Sequence, residues 1–129
     1  ACDMYGGGKT TEHPDEAGKM AGAVRKSLPE WLARARGGLK VLQDHPKVDA
    51  GKLAAIGYCF GGSTAQQLAL AGEPVKAVVS FHGAPVPATA EQAKAVKGAV
   101  LICHGAADPF IKPAAVDALV GALKGGGAK

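Results

Sequence analysis

Three short runs of apolar residues, Leu53 to Tyr58, Val75 to Phe81 and Ala99 to Cys103, stand out in a chain whose other segments mix polar and apolar positions. They are continuous rather than alternating, the pattern of parallel strands buried on both faces. Helical spacing fills the intervals. Gly61 to Ala71 is a run rich in small residues, with Ala65, Leu68 and Ala69 on one face. Thr89 and Gln92 make a capping box ahead of Ala90 to Val96. Pro113 can open a helix that carries Val116, Leu119, Val120 and Leu123 and stops at Gly125-Gly126-Gly127. Strand and helix therefore alternate three times, which predicts a parallel α/β sheet with right-handed crossovers.

The first third of the chain reads as helical. Ala17, Met20, Ala21 and Val24 share a face, and Ser27 with Glu30 forms a second capping box. Trp31, Leu32, Ala35, Leu39 and Leu42 then make an amphipathic stripe that ends before His45-Pro46. Thr10 to Asp15 reads as a surface loop, and Cys2 to Tyr5 as the tail of a strand. No internal repeat or domain boundary is visible. Three strands make a poor closed unit, because a parallel sheet needs both faces and both edges managed. Residues 1–129 are thus expected to be the central part of a larger domain, lacking N-terminal strands and a C-terminal strand region. Its sheet edges, left with unpaired groups, are expected to favour self-association.

Composition narrows the function. At 47% hydrophobic and 20% charged, the 129 residues fit one globular domain rather than a disordered segment. No apolar stretch approaches membrane-spanning length, about 18 residues. The net charge of +4 comes from scattered Lys and Arg, and only 5% of residues are aromatic, so no nucleic-acid surface is expected. Cys2, Cys59 and Cys103 show no metal-binding spacing and are too few for a disulfide scaffold. They read as free thiols in a reducing, cytoplasmic compartment. No metal or cofactor is expected.

The candidate chemistry lies in Ile56-Gly57-Tyr58-Cys59-Phe60-Gly61-Gly62. A strand runs into Cys59 and a small-residue helix leaves from Gly61, the arrangement of a nucleophile elbow with cysteine in place of serine. Gly57, Gly61 and Gly62 would give room where strand and helix backbones nearly touch. The helix end would favour a thiolate at Cys59, and the Phe60 amide would face a developing oxyanion. A buried structural cysteine is the competing reading. A phosphate loop fits less well, since the glycine spacing is wrong and no P-loop lysine follows.

Gly57-Tyr58-Cys59-Phe60-Gly61-Gly62, Ser80-Phe81-His82-Gly83 and Cys103-His104-Gly105-Ala106-Ala107-Asp108-Pro109-Phe110 together resemble the dienelactone hydrolase family of α/β-hydrolases. Asp3-Met4-Tyr5-Gly6 and His13-Pro14-Asp15-Glu16-Ala17 are similar to it as well. The resemblance implies a three-layer α/β/α sandwich with a mainly parallel sheet, and a small-molecule ester or lactone as substrate. It also implies a Cys-His-Asp triad that works through an acyl-thioester. Cys59 matches the nucleophile and Asp108 the acid; Asp108-Pro109 in isolation reads as a plain turn, but its place after a buried strand downstream of the elbow favours the acid. The family's histidine follows its acid, yet His13, His45, His82 and His104 all precede Asp108. His82 and His104 are expected to be packing or hydrogen-bonding residues, and Cys103 buried and inert. Arg25, Arg34 and Arg36 are available for a substrate carboxylate but suit solvated helix faces. The chain alone is therefore expected to have little turnover. A non-catalytic remnant or interaction module on the same scaffold is the alternative.

Overall fold

The computed structural model describes residues 1–129, which divide into two compact units, Ala1–Ala50 and Gly51–Lys129. In the first, the expected strand near Cys2 to Tyr5 does not form. The Asp3 carboxylate instead accepts the backbone N–H groups of Tyr5 (3.0 Å), Gly6 (2.8 Å) and Gly8 (2.9 Å). Amides that a sheet would have used are thereby spent on a local loop. Gly6, Gly7 and Gly8 all take positive φ, so this loop is one that glycine makes cheaply.

Two helices follow, α1 at Pro14–Arg25 and α2 at Leu28–Gln43. Pro14 lies in the first turn of α1, so the expected Thr10–Asp15 loop yields its last two residues to the helix. Asp15 and Glu16 sit at the positive end of the α1 dipole and Arg25 at the negative end. Ala21 and Val24 of α1 are buried, as are Trp31, Ala35 and Leu39 of α2, while Leu42 is exposed. Only half of the Ser27–Glu30 capping box closes. Ser27 Oγ accepts from the Glu30 amide at 3.4 Å, but the Glu30 carboxylate turns to Arg34 Nη2 at 2.6 Å. Arg34 Nη1 also donates to the Met4 carbonyl at 3.0 Å, so this guanidinium holds its own unit together.

The second unit holds a three-stranded parallel sheet in the order β1 (Ala54–Tyr58), β2 (Ala77–Phe81), β3 (Ala99–Cys103). Helix α3 (Phe60–Leu70) connects β1 to β2, α4 (Ala90–Ala95) connects β2 to β3, and α5 (Pro113–Gly125) follows β3. Here the Thr89–Gln92 capping box is complete, with both reciprocal bonds made. Helix α3 packs on β1 and β2 and is buried from Gly62 to Leu70. Leu70, Leu119 and Leu123 join it to α5 and to Val100 and Ile102 of β3. Each such leucine contributes about 1.5–3 kcal/mol on leaving water. Burial along the strands alternates instead of covering both faces: Val78 and Ser80 are buried, but Ile56, Tyr58 and Leu101 are exposed. The helices of this unit bury the Val78 and Val100 side, which leaves the face carrying Ile56, Tyr58 and Leu101 in the open. No helix is long and apolar enough to cross a membrane.

Candidate active site

Each strand of the sheet ends in the same row. Tyr58, Phe81 and Cys103 are in register, so the next residues, Cys59, His82 and His104, leave the sheet side by side at its carboxyl edge. Two backbone bonds carry the ladder one step further: Cys59 N–H donates to Phe81 O and His82 N–H to Cys103 O, both at 2.9 Å. Open α/β sheets bind ligands at this edge.

Cys59 has φ 51° and ψ −116°, a conformation sparsely allowed for a residue with a side chain. The strain comes from turning a strand directly into α3, whose first turn begins at Phe60. The corner closes only because Gly57 lacks a side chain, since a Cβ there would overlap the Gly61 carbonyl. Gly61 itself faces open space, so its part is to bring its backbone close. Gly62 has a different neighbour: it lies against Gly83 and Ser80 Oγ, which seats α3 on the turn after β2. Cys59 is exposed as a free thiol, as the elbow reading expected and the buried-cysteine reading did not. Phe60 places its amide beside it at the positive end of the helix.

A buried polar network that the sequence reading missed supports the neighbouring turn. Gln66 Nε2 donates to Ser80 Oγ at 2.8 Å, and Gln66 Oε1 accepts from the Val86 amide at 2.9 Å. Ser63 Oγ donates to the Ala84 carbonyl at 2.9 Å. Polar residues on the inward face of a small-residue helix were the available signal, because buried polar groups need partners.

Asp108 stands in the loop after β3. Its Oδ1 accepts the amides of Phe110 (2.8 Å) and Ile111 (3.0 Å), and its Oδ2 meets His82 Nδ1 at 2.5 Å. The Asp108 side chain is 4% exposed and that of His82 48%, so a buried acid holds an accessible imidazole. Burial pushes the Asp108 carboxyl up, but the two amides and the hydrogen bond and charge of His82 outweigh it. The net direction is downward, and the group is a carboxylate at neutral pH. Asp108 thus makes a turn and holds a histidine at once, so the two readings of its role are compatible.

His82 is a hydrogen-bonding residue, as expected from the sequence, with Asp108 as its partner. It shares with Cys59 a φ of 51°, and each sits one residue beyond its strand. His104 stacks parallel to it, with ring centroids 6.4 Å apart. His104 Nε2 faces the Ile111 carbonyl at 3.2 Å and Asp108 Oδ2 at 3.8 Å, while its Nδ1 is buried without a partner. His82, His104 and Asp108 place one ligand atom each within 4.8 Å of one another, close enough for a divalent cation. However, two oxygens facing His104 Nε2 favour a proton on that nitrogen, and a protonated nitrogen donates rather than ligates. Cys103 is half-buried rather than buried.

Comparison with known proteins agrees with this geometry. The family model described as the dienelactone hydrolase family matches residues 1–129. An uncharacterized protein of Caenorhabditis elegans is 32% identical over 87 residues, covering 66% of this chain and 55% of its own length. The solved structure named m3DLH is 38% identical with a TM-score of 0.90, over 99% of this chain and 53% of that one. A dienelactone hydrolase-like promiscuous phosphotriesterase from metagenomic libraries is 34% identical with a TM-score of 0.89, over the same shares of the two chains. The chain therefore spans about half the length of these relatives. With that fold, and with the family pattern running from Ala1 to Lys129, this chain belongs to the dienelactone hydrolase family of α/β-hydrolases.

Proposed function

We propose that Cys59 is the nucleophile of a hydrolase that cleaves carboxylic esters or lactones through an acyl-thioester, with Asp108 as its acid and the Phe60 amide as one oxyanion donor. One observation carries this reading: an exposed sulfur on a strained corner between a parallel strand and a helix N-terminus. In that position a thiolate is favoured by the helix end, and the carbonyl oxygen of a substrate develops its charge beside the first-turn amides. The ester carbonyl takes up the sulfur, the alkoxide leaves, and water later releases the acid and restores the thiol. No histidine follows Asp108 in these 129 residues, so turnover by the chain alone is expected to be slow. Acylation is therefore the better measure of the site than steady-state rate.

The test is peptide mass spectrometry after brief exposure to nitrophenyl acetate at neutral pH. An acyl adduct on Cys59 and not on Cys2, which is also exposed, supports the reading. Equal labelling of the two thiols, or labelling of Cys59 only after denaturation, overturns it and leaves the scaffold a non-catalytic module. A nitrophenyl phosphotriester is a useful second probe, given the phosphotriesterase among the similar structures.

A further inference from the structure

We infer that Ser63 and Gln66 are positioning residues for Cys59, which lock the strained corner carrying the sulfur through a closed circuit of hydrogen bonds. This rests on the reading of Cys59 as nucleophile and adds to it the groups that aim the side chain. The circuit joins two strand ends. Cys59 N–H donates to Phe81 O at 2.9 Å, and the Cys59 carbonyl accepts from Ser63 N–H at 3.2 Å. Ser63 Oγ then donates to the Ala84 carbonyl at 2.9 Å, on the turn that follows Phe81. Gln66, about one helical turn further along α3, ties down the same turn. Its Nε2 donates to Ser80 Oγ at 2.8 Å and to the Gly83 carbonyl at 3.5 Å, and its Oε1 accepts from Val86 N–H at 2.9 Å.

Three features set these bonds apart from ordinary core packing. Each of the side-chain bonds ends between Ser80 and Val86, the segment whose Phe81 carbonyl holds the Cys59 amide. Ser63 and Gln66 are each 2% exposed and Ser80 0%, so water does not stand in for a lost partner. The circuit also encloses both non-glycine residues of positive φ, Cys59 and His82, each at 51°. Strained backbones of this kind persist only where their surroundings over-determine them. Gly62 and Gly83 let the two backbones meet, since a Cβ on Gly62 would lie 2.9 Å from Gly83 Cα and one on Gly83 would lie 2.7 Å from the Gly62 carbonyl carbon. The torsions of Cys59 set the direction of its Cα–Cβ bond, and hence where the sulfur stands relative to the Phe60 amide. Released from the circuit, the sulfur would still ionise at the helix end but would no longer meet a carbonyl carbon whose oxygen faces that amide.

The test compares two reactions of Cys59 in the whole chain, acylation by nitrophenyl acetate and alkylation by iodoacetamide, with folding followed by denaturant unfolding. Alkylation needs only the thiolate, whereas acylation also needs the carbonyl oxygen beside the first-turn amide. In Ser63→Ala and Gln66→Met, acylation is expected to fall by roughly 10²-fold, the scale of a displacement of about 1 Å. Alkylation should stay near the unsubstituted rate. Ser63→Thr keeps the hydroxyl and is expected to restore acylation. Gln67→Met is the control: Gln67 is buried on the same helix, but its side chain makes none of these bonds, so the ratio of the two rates should not move. Where Ser63→Ala does not fold, Gln66→Met against Gln67→Met decides. Unchanged acylation in the folded variants would overturn the positioning role and leave Cys59 as nucleophile intact. A parallel loss of both rates that follows lost stability and is shared by Gln67→Met would also overturn it, because plain packing predicts that pattern. An unreactive Cys59 in the unsubstituted chain would instead overturn the nucleophile reading itself, and with it this one.

Discussion

Asp3 and Asp108 perform the same local act in different units of the molecule, and only one of them reaches beyond it. Each is a carboxylate that gathers the amides of the residues just after it. At Asp3 both oxygens are spent this way, Oδ1 on Tyr5 and Gly6 and Oδ2 on Gly8. At Asp108 a single oxygen holds the loop, and the other is left for His82. Both carboxyls are drawn below their ordinary value, Asp3 chiefly by the Gly8 amide and Asp108 against the opposing effect of burial. A depressed carboxyl is thus no mark of a site by itself. What separates the two is an oxygen directed at a different chain segment, where it meets an imidazole.

The contrast is tested most severely by Asp108→Asn. The amide can keep Oδ1 on Phe110 and Ile111 but turns an N–H₂ toward His82 Nδ1, which forces the opposite tautomer. Cys59 acylation is expected to drop by about 10²–10⁴-fold, whereas Asp3→Asn should leave it unchanged. If both substitutions slow acylation equally, the distinction between the loops fails. Gly57→Ala acts on the corner instead, and the overlap of a new Cβ with the Gly61 carbonyl is expected to cost about 1–3 kcal/mol in denaturant unfolding. Gly61→Ala, which meets open space, should cost less than that.

Acid titration sharpens the comparison further. Because both folded carboxyls lie below the ordinary value of 3.8, each contributes stability that is complete above that value and is lost as pH falls through the folded one. Carboxyl-carbon NMR titration should therefore show both midpoints under 3.8. Only the Asp108 transition should shift the His82 ring signals. The smallest effect belongs to Asp3→Ala, expected to accelerate amide exchange at Gly6 and Gly8 with no change in Cys59 labelling.

Much of this was legible in the chain itself. The run from Ala99 to Cys103 is a strand with those same limits, and the Thr89–Gln92 box caps a helix as read. The elbow at Cys59 was visible because strand, small residues and glycines each leave a local signature. The stretch Cys2 to Tyr5 misled, since its apolar character says nothing of where the Asp3 oxygens go. The second capping box half-failed for a similar reason: Glu30 has Arg34 one helical turn away, and a charged partner outcompetes a backbone amide. The partner of His82 was not legible because it depends on register, and pairing between strands is not a local property. The repeated His-Gly after two strands, at His82 and His104, was the one trace of that row.

That Cys59, His82 and His104 leave three strands at one level has a consequence for how the molecule could vary. Side chains on a strand point alternately to its two sides, so a slip of one position in β2 would swing its terminal imidazole away from the Asp108 carboxylate and some 3.3 Å along the strand. Insertions at the amino ends of the strands, or in the helices behind them, would leave that alignment alone. Tolerance to insertion should therefore divide along the length of the sheet, permissive at the end where strands begin and strict where they finish.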